Sequence, residues 1–321
     1  MLTLSKIKLV NNSDLQKIHD QTIAVLEQTG IKFHSEESIE IFKKHGAKVD
    51  GKIVYIAEEM LERAINNIPK QFTWHAIDPQ NNIQVGGEQD RVHIMLDHGI
   101  LGGMVLSQLV NPGTPFVYSP ASSVPNMKTA SYITGSPESN LINIINLQLA
   151  NELYHIPTRT MAGLTDAKTV DCQAGLETMQ NYFTLMMSGT HMINECIGTL
   201  DSILTVSYEK FMIDEEMMSR MLRIMEGVST KDEDFDISSI KKTGHAGSYL
   251  KHPDTVRNCR STWVPTVSDW ESYDKWKATG SEDIVVQANR KYKEVLKNCP
   301  ESLLSKDIAE QLTKFVDSRR G

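Results

Sequence analysis

Four short segments gather small, polar and aromatic residues at points where the apolar periodicity of the chain stops. They are Tyr118-Ser119-Pro120-Ala121-Ser122-Ser123, Met161 to Lys168, Asn194-Glu195-Cys196-Ile197-Gly198, and Gly244-His245-Ala246-Gly247-Ser248-Tyr249. In parallel α/β folds the carboxyl ends of strands hold the ligand. The four segments are therefore candidate rim loops, although any strand-to-helix loop is polar. From them we take Tyr118, Ser122, Met161, Asp166, Glu195, His245 and Tyr249 as candidate substrate-binding residues. Tyr118 and Tyr249 are the aromatics nearest to these ends, and Trp263 is a more distant third. Glu195 stands at a strand end and would be costly if buried unpaired. His245, between glycines, reads equally as ligand contact or loop residue. His191, at a strand start, reads as structural, and Tyr208-Glu209-Lys210-Phe211 reads as a loop-to-helix ion pair.

The chain carries no G-x-S-x-G, H-E-x-x-H, P-loop or G-x-G-x-x-G signature. Its four cysteines, Cys172, Cys196, Cys259 and Cys299, lie far apart without a C-x-x-C pair, so no zinc or metal site and no disulfide framework is expected. A net charge of −8 argues against a nucleic-acid partner. No window has the apolar length to span a bilayer, and the polar N-terminal run does not read as a signal peptide. The expected location is cytoplasmic. The methionines between Met212 and Met225 read as adaptable helix packing.

These candidates need elements to position them. Ser13 and Ser35 can cap two helices, ended by Gly30 and Gly46, and a third runs to Pro69. Phe72, Trp74 and Ala76 alternate as in a strand, and Asp78-Pro79 and Gly86-Gly87 mark turns. From about residue 97 the rhythm becomes helix, loop, strand. An apolar helix, Ile100 to Val110, leads to a strand at Pro115–Ser119. Ser136-Pro137 opens a helix that leads to a strand at Thr158–Ala162, and Asp171 opens another before the strand His191–Cys196. A helix over Asp214–Glu226 and helices at Tyr273–Ala278, Ile284–Asn298 and Leu303–Arg319 follow. The expected class is α/β: TIM-barrel-like parallel strands with helices, plus a helical N-terminal region. Residues 1–95 form that region with a small β portion, 96–262 a partial (β/α) barrel and 263–321 a helical tail. About four strand-helix units are legible. An eight-unit barrel takes ~250 residues, so the barrel is expected to be incomplete, with an open edge favouring association.

Several segments in order resemble the trimethylamine methyltransferase family. They are Phe72-Thr73-Trp74-His75-Ala76-Ile77-Asp78-Pro79 with Gly86-Gly87, Gln108-Leu109-Val110-Asn111-Pro112-Gly113 through Tyr118, Leu164-Thr165-Asp166-Ala167-Lys168 with Asp171 and Gln173-Ala174-Gly175, Ser207-Tyr208-Glu209-Lys210-Phe211, and Gly244 to Leu250. The resemblance covers nearly the whole chain, in blocks of about 1–93 and 97–321. It implies a TIM-barrel methyltransferase that moves a methyl group from a small quaternary or tertiary amine to the Co(I) of a corrinoid. That corrinoid is carried by a cognate partner protein, so this chain is expected to bind no cofactor itself, and a homo-oligomer is expected. Family members are much longer, and the missing part falls between His93 and Leu96, where it would supply early barrel strands. Trimethylamine-specific members carry pyrrolysine, which we place near Thr160–Gly163. None occurs here, which resembles the members acting on quaternary amines such as glycine betaine.

That chemistry fits the lack of an acid-base signature. An amine leaving a quaternary ammonium departs neutral and needs no proton, so the task is alignment and desolvation. A carboxylate at the nitrogen would stabilise the ground state more than the transition state. For a betaine, His245 could meet the carboxylate. Two other readings stay open: a shortened, inactive relative keeping only fold and contact surfaces, and an unrelated α/β enzyme.

Overall fold

The Asn11 side chain accepts the Asp14 N–H and so starts the first helix, α1 (Asn12–Gln28), two residues before the expected Ser13 cap. The computed structural model describes residues 7–75, 79–86, 93–94, 101–228, 237–245, 247–299 and 305–319. The expected features at Ala76–Asp78, Gly87, Leu96, Ile100, Ala246 and Leu303 lie outside the described residues.

Ser35 caps α2 (Glu36–Lys44), and α3 (Glu58–Asn67) ends before Pro69. Between them β1 (Ile31–Lys32), β2 (Lys48–Asp50) and β3 (Ile53–Tyr55) form an antiparallel sheet in the order β1-β3-β2. Gly30 closes α1 at φ +72°, where a Cβ would lie 2.7 Å from the Val54 carbonyl oxygen, so only glycine fits. A hairpin of β4 (Gln71–Trp74) and β5 (Ile83–Gly86) follows, as the alternation at Phe72 and Trp74 predicts. The core here contains Leu15, Leu26, Phe42, Ile56 and Leu61. It also takes in residues from beyond position 96: Met104 and Val105 of α4 (Leu101–Val110), and Leu149, Ala150, Tyr154 and Ile156. His19 Nδ1 lies 3.1 Å from the buried Tyr154 hydroxyl across this join.

The second body is a parallel sheet with helices. Its strands β6 (His93–Ile94), β7 (Arg159–Met161) and β8 (Met192–Asn194) stand in the order β6-β8-β7. Tyr118 adds a fourth parallel segment beside Thr158: its N–H donates to Pro157 O at 2.8 Å, and its carbonyl accepts the Arg159 N–H at 2.9 Å. The expected strand Pro115–Ser119 shrinks to this one bridge because Pro115 and Pro120 have no N–H to donate. Helix α5 (Pro137–Leu149), with Ser136 as cap and Pro137 in its first turn, runs into a π turn at Ala150–Tyr154. Helix α6 (Cys172–Met186) is capped by Asp171. Ile144, Leu147, Tyr182, Leu185, Ile193 and Met221 form the core between sheet and helices. The fold is thus mixed α/β with small sheets. Among the described residues the parallel sheet does not return on itself, and the TIM-barrel expectation reduces to these four segments.

Two expectations need correction. A hairpin of β9 (Thr199–Leu200) and β10 (Thr205–Val206) precedes the Met-rich helix, turned by Asp201, Ser202 and Ile203 at positive φ. That helix, α7 (Tyr208–Met225), starts six residues before Asp214 because the Ser207 side chain accepts the Lys210 N–H. The Gly244 segment is not a strand end. It follows a helix, α8 (Ser238–Thr243), whose last turn Gly244 closes at φ +66°, and it precedes α9 (Pro253–Asn258).

The tail returns to α7. Its helices are α10 (Tyr273–Ala278), α11 (Ile284–Asn298) and α12 (Lys306–Asp317). Helix α11 packs along α7, with Ala288 fully buried beside Met212 and Ile213. The Glu216 carboxylate accepts the N–H groups of Thr266, Val267 and Ser268 and the hydroxyls of Thr266 and Ser268. Among the described residues no helix is long and apolar enough to cross a membrane.

A candidate ligand cleft

A cleft of about 860 Å³ opens between the N-terminal core and the carboxyl ends of the parallel segments. Val25 and Leu26 of α1, Ile31 and Leu101 form its apolar wall. Opposite them stand Tyr118 through Ser122, Tyr132, Asn146, Met161, Glu195 and Ile203. Four of the seven sequence candidates, Tyr118, Ser122, Met161 and Glu195, therefore meet in one place. They do so because β7, β8 and the Tyr118 segment run parallel, so their ends share one side.

Each is held differently. Burial pushes the Tyr118 hydroxyl above its ordinary pKa. The Ser122 N–H donates to Asn143 Oδ1 at 3.0 Å, and its carbonyl accepts from Asn143 Nδ2 at 2.9 Å, which fixes the rim to α5. Glu195 is in the left-handed region at φ +49°, strained for a residue with a side chain. Among the described residues its Oε2 atom is buried without a hydrogen-bond partner. Tyr132, which periodicity did not single out, faces the same space. Its hydroxyl is raised by burial and then by the negative charges of Glu195 and Asp166.

The other three candidates stand elsewhere. Asp166 accepts the Thr134 N–H at 3.0 and 3.1 Å, the Gly135 N–H at 2.9 Å and the hydroxyls of Thr134 and Ser202. It ties together loops more than thirty residues apart and does not line the cleft. His245 and Tyr249 fall in the exposed link between α8 and α9, where Tyr249 packs against His252. Without a strand before them, nothing brings them to the rim. Trp263 is also engaged: the Arg220 guanidinium lies 4.1 Å from its ring centre and 5.8 Å from that of Trp270. His191 is structural, its Nδ1 lying 2.8 Å from the Thr158 hydroxyl.

Beneath the rim a buried ion pair fixes the strand ends. Lys210 Nζ donates to Asp214 Oδ2, to the Gly163 carbonyl at 3.2 Å and to Thr178 Oγ1 at 3.0 Å. Asp214 Oδ2 also accepts the Gly198 N–H at 2.8 Å. Burial pushes the Asp214 carboxyl up to about 6, against the pull of Lys210 and that N–H, and pushes the Lys210 ammonium down. The pair thus joins the loop after β7 to the loop after β8. Gly163, at φ +88°, lets these loops touch, since a Cβ there would stand 1.8 Å from the Cys196 carbonyl oxygen. The Tyr182 hydroxyl donates to the same carbonyl, and burial raises the Cys196 thiol to about 11. The sequence reading of Tyr208–Phe211 as an ion-pair segment describes only part of this, because the partner lies at Asp214.

The family model described as trimethylamine methyltransferase (MTTB) matches residues 2–97 and 98–321. The glycine betaine methyltransferase of Desulfitobacterium hafniense (strain Y51) is 23% identical over 470 residues, covering 98% of this chain and 98% of that protein. The trimethylamine methyltransferase MttB of Methanosarcina barkeri (strain Fusaro / DSM 804) is 30% identical over 218 residues, 68% of this chain and 44% of that one. The L-carnitine:corrinoid methyltransferase of Eubacterium limosum is 39% identical over 153 residues, 47% of this chain and 31% of that one. An alignment of 470 residues against a chain of 321 leaves a long internal segment of the first relative without a counterpart here. The family match falls into two parts that meet between positions 97 and 98.

Proposed function

We propose, on the premise that this chain belongs to the trimethylamine methyltransferase family, that it binds a small quaternary or tertiary amine, glycine betaine-like, for methyl transfer to the Co(I) of a corrinoid. The corrinoid belongs to a separate partner protein and supplies the nucleophile. The observation that carries this reading is the meeting of Tyr118, Tyr132 and Glu195 around an apolar cleft at the strand ends. Ring faces and one carboxylate suit a trialkylammonium group. From a quaternary ammonium the amine leaves neutral, so for such a substrate no residue here need donate a proton. The apolar wall of Val25, Leu26 and Ile31 excludes water from the methyl group, and the tyrosines orient it. Glu195 strengthens capture of the cation, at the expense of stabilising the ground state.

A second reading has its own support: a shortened relative that keeps the fold and contact surfaces but does not turn over. The segment absent relative to the 470-residue alignment favours it. One experiment separates the two. Purified protein is mixed with Co(I) cobalamin and glycine betaine, and the visible spectrum is followed. Loss of the Co(I) bands at a rate proportional to protein supports the enzyme. A flat trace with cobalamin and with a cognate corrinoid protein supports the second reading.

A further inference from the structure

Asn194, at the carboxyl end of β8, is 1% exposed, and among the described residues neither Oδ1 nor Nδ2 of its amide has a hydrogen-bond partner. The other buried asparagines each use at least one end of the amide, although Asn181 Oδ1 also lacks a partner among the described residues. Asn140 donates to Thr184, Asn143 holds both backbone groups of Ser122, and Asn181 donates to Leu164 O at 2.8 Å. A buried amide left unpaired costs stability, and native proteins keep few of them. In register Asn194 pairs with Met161, and Arg159 pairs with Met192. Paired residues of parallel strands project to the same face, so all four side chains share one face of the sheet. Met161 on that face lines the cleft. Arg159, 3% exposed, places a positive charge deeper on the same face. The next residue, Glu195, leaves the strand at positive φ and lines the cleft, and its buried Oε2 has no partner among the described residues.

We infer that Asn194 is a specificity-determining residue: its amide N–H donates to an oxygen carried by the ligand, while Glu195 faces the ligand's ammonium group. Adjacent positions then read the two ends of one small molecule. This rests on the reading of the cleft as an amine site. It adds that the site selects ammonium compounds bearing a carboxylate or hydroxyl over those bearing none.

The test is calorimetry on the full chain with glycine betaine and with tetramethylammonium, no corrinoid present. Native protein should prefer glycine betaine on the order of tenfold, the size of one hydrogen bond to a charged group. Asn194→Leu should erase that preference and leave tetramethylammonium binding unchanged. The same variant should melt no lower than native protein without ligand, because it removes an unpaired buried amide; a purely structural asparagine would give the opposite. Should Asn194→Leu not fold, Asn194→Ala reads the same difference. Retention of the preference in the variant, equal loss of both ligands, or native protein that binds neither overturns the inference. Because methyl transfer is not measured, ligand selection without turnover would sink only the enzymatic reading. Turnover with an unaltered preference in Asn194→Leu would sink only this one.

Discussion

The Lys210 ammonium stands 2.5 Å from Asp214 Oδ2 with both side chains withdrawn from water, at 1% and 0% exposure. They lie one helical turn apart on α7, yet their remaining bonds reach the ends of two strands. Removing one partner of such a pair leaves a buried charge alone, typically a loss of 3–5 kcal/mol. Lys210→Met should therefore lower unfolding free energy by about that much, whereas Lys210→Met with Asp214→Leu should recover most of it. Urea titrations of the three proteins decide this, and a single variant as stable as the double one would refute it.

Gly163→Ala should be among the most damaging small substitutions in the chain. The added methyl meets the Cys196 carbonyl at 1.8 Å, and φ +88° is unfavourable for alanine. A loss above roughly 3 kcal/mol is expected, from clash and backbone strain together. Thermal melts show it, and Gly175→Ala serves as control, since among the described residues nothing beyond its chain neighbours and its own helix backbone lies within 4 Å of its Cβ position.

Acid should loosen the tail through Glu216. Burial pushes this carboxyl up, but hydrogen bonds from Ser268, Val267 and Arg220 outweigh it and hold it at about 2. A folded-state value below the unfolded one gives stability that is present above about pH 4.5 and lost as pH falls toward 2. By linkage the contribution is at most about 3 kcal/mol. Native protein should lose melting temperature across that window more steeply than Glu216→Gln, which is weaker at neutral pH but flatter. Parallel slopes would remove Glu216 as the cause.

In the cleft, ring and carboxylate should separate kinetically if the protein turns over. Tyr118→Ala should weaken quaternary-amine binding by about 0.5–2 kcal/mol, the range of a cation–π contact. Glu195→Gln should raise KM while leaving kcat unchanged or higher, because attraction to the ammonium fades as its charge is lost. Abolished turnover in Glu195→Gln, with Tyr118→Ala unaffected, would reverse these roles.

Helix caps and apolar periodicity were readable without a structure. Ser35, Ser136 and Asp171 each start the helix that their type and position indicate, because a cap is decided within four residues. The meeting of Tyr118, Ser122, Met161 and Glu195 was also legible, since parallel strands align their ends. Asp166 was misread for the reason that makes it useful: its donors at Thr134 and Ser202 are distant in sequence, so a rim carboxylate and a loop clamp look alike in one dimension. The Gly244 segment carried the small residues of a strand end without a strand before it, and glycine marks helix ends equally well. Tyr132 lies between turn residues with no period to point at the cleft. Asn194 is one polar residue at a strand end until the partners of its neighbours are counted.

The place of β6 beside β8 bears on how the protein is made. His93 and Ile94 find their pairing partners, Met192 and Ile193, across roughly a hundred residues of intervening chain, whereas β7 and β8 are linked by one helix. On the ribosome the chain from α5 through β8 can assemble as soon as it emerges. The earlier-made β6 must wait without its strand partner until β8 exists to receive it. Nascent chains halted before Met192 should then be captured by chaperones and degraded, and those halted beyond α7 should resist proteolysis, with the transition falling at the β8 edge and not at the end of the N-terminal core.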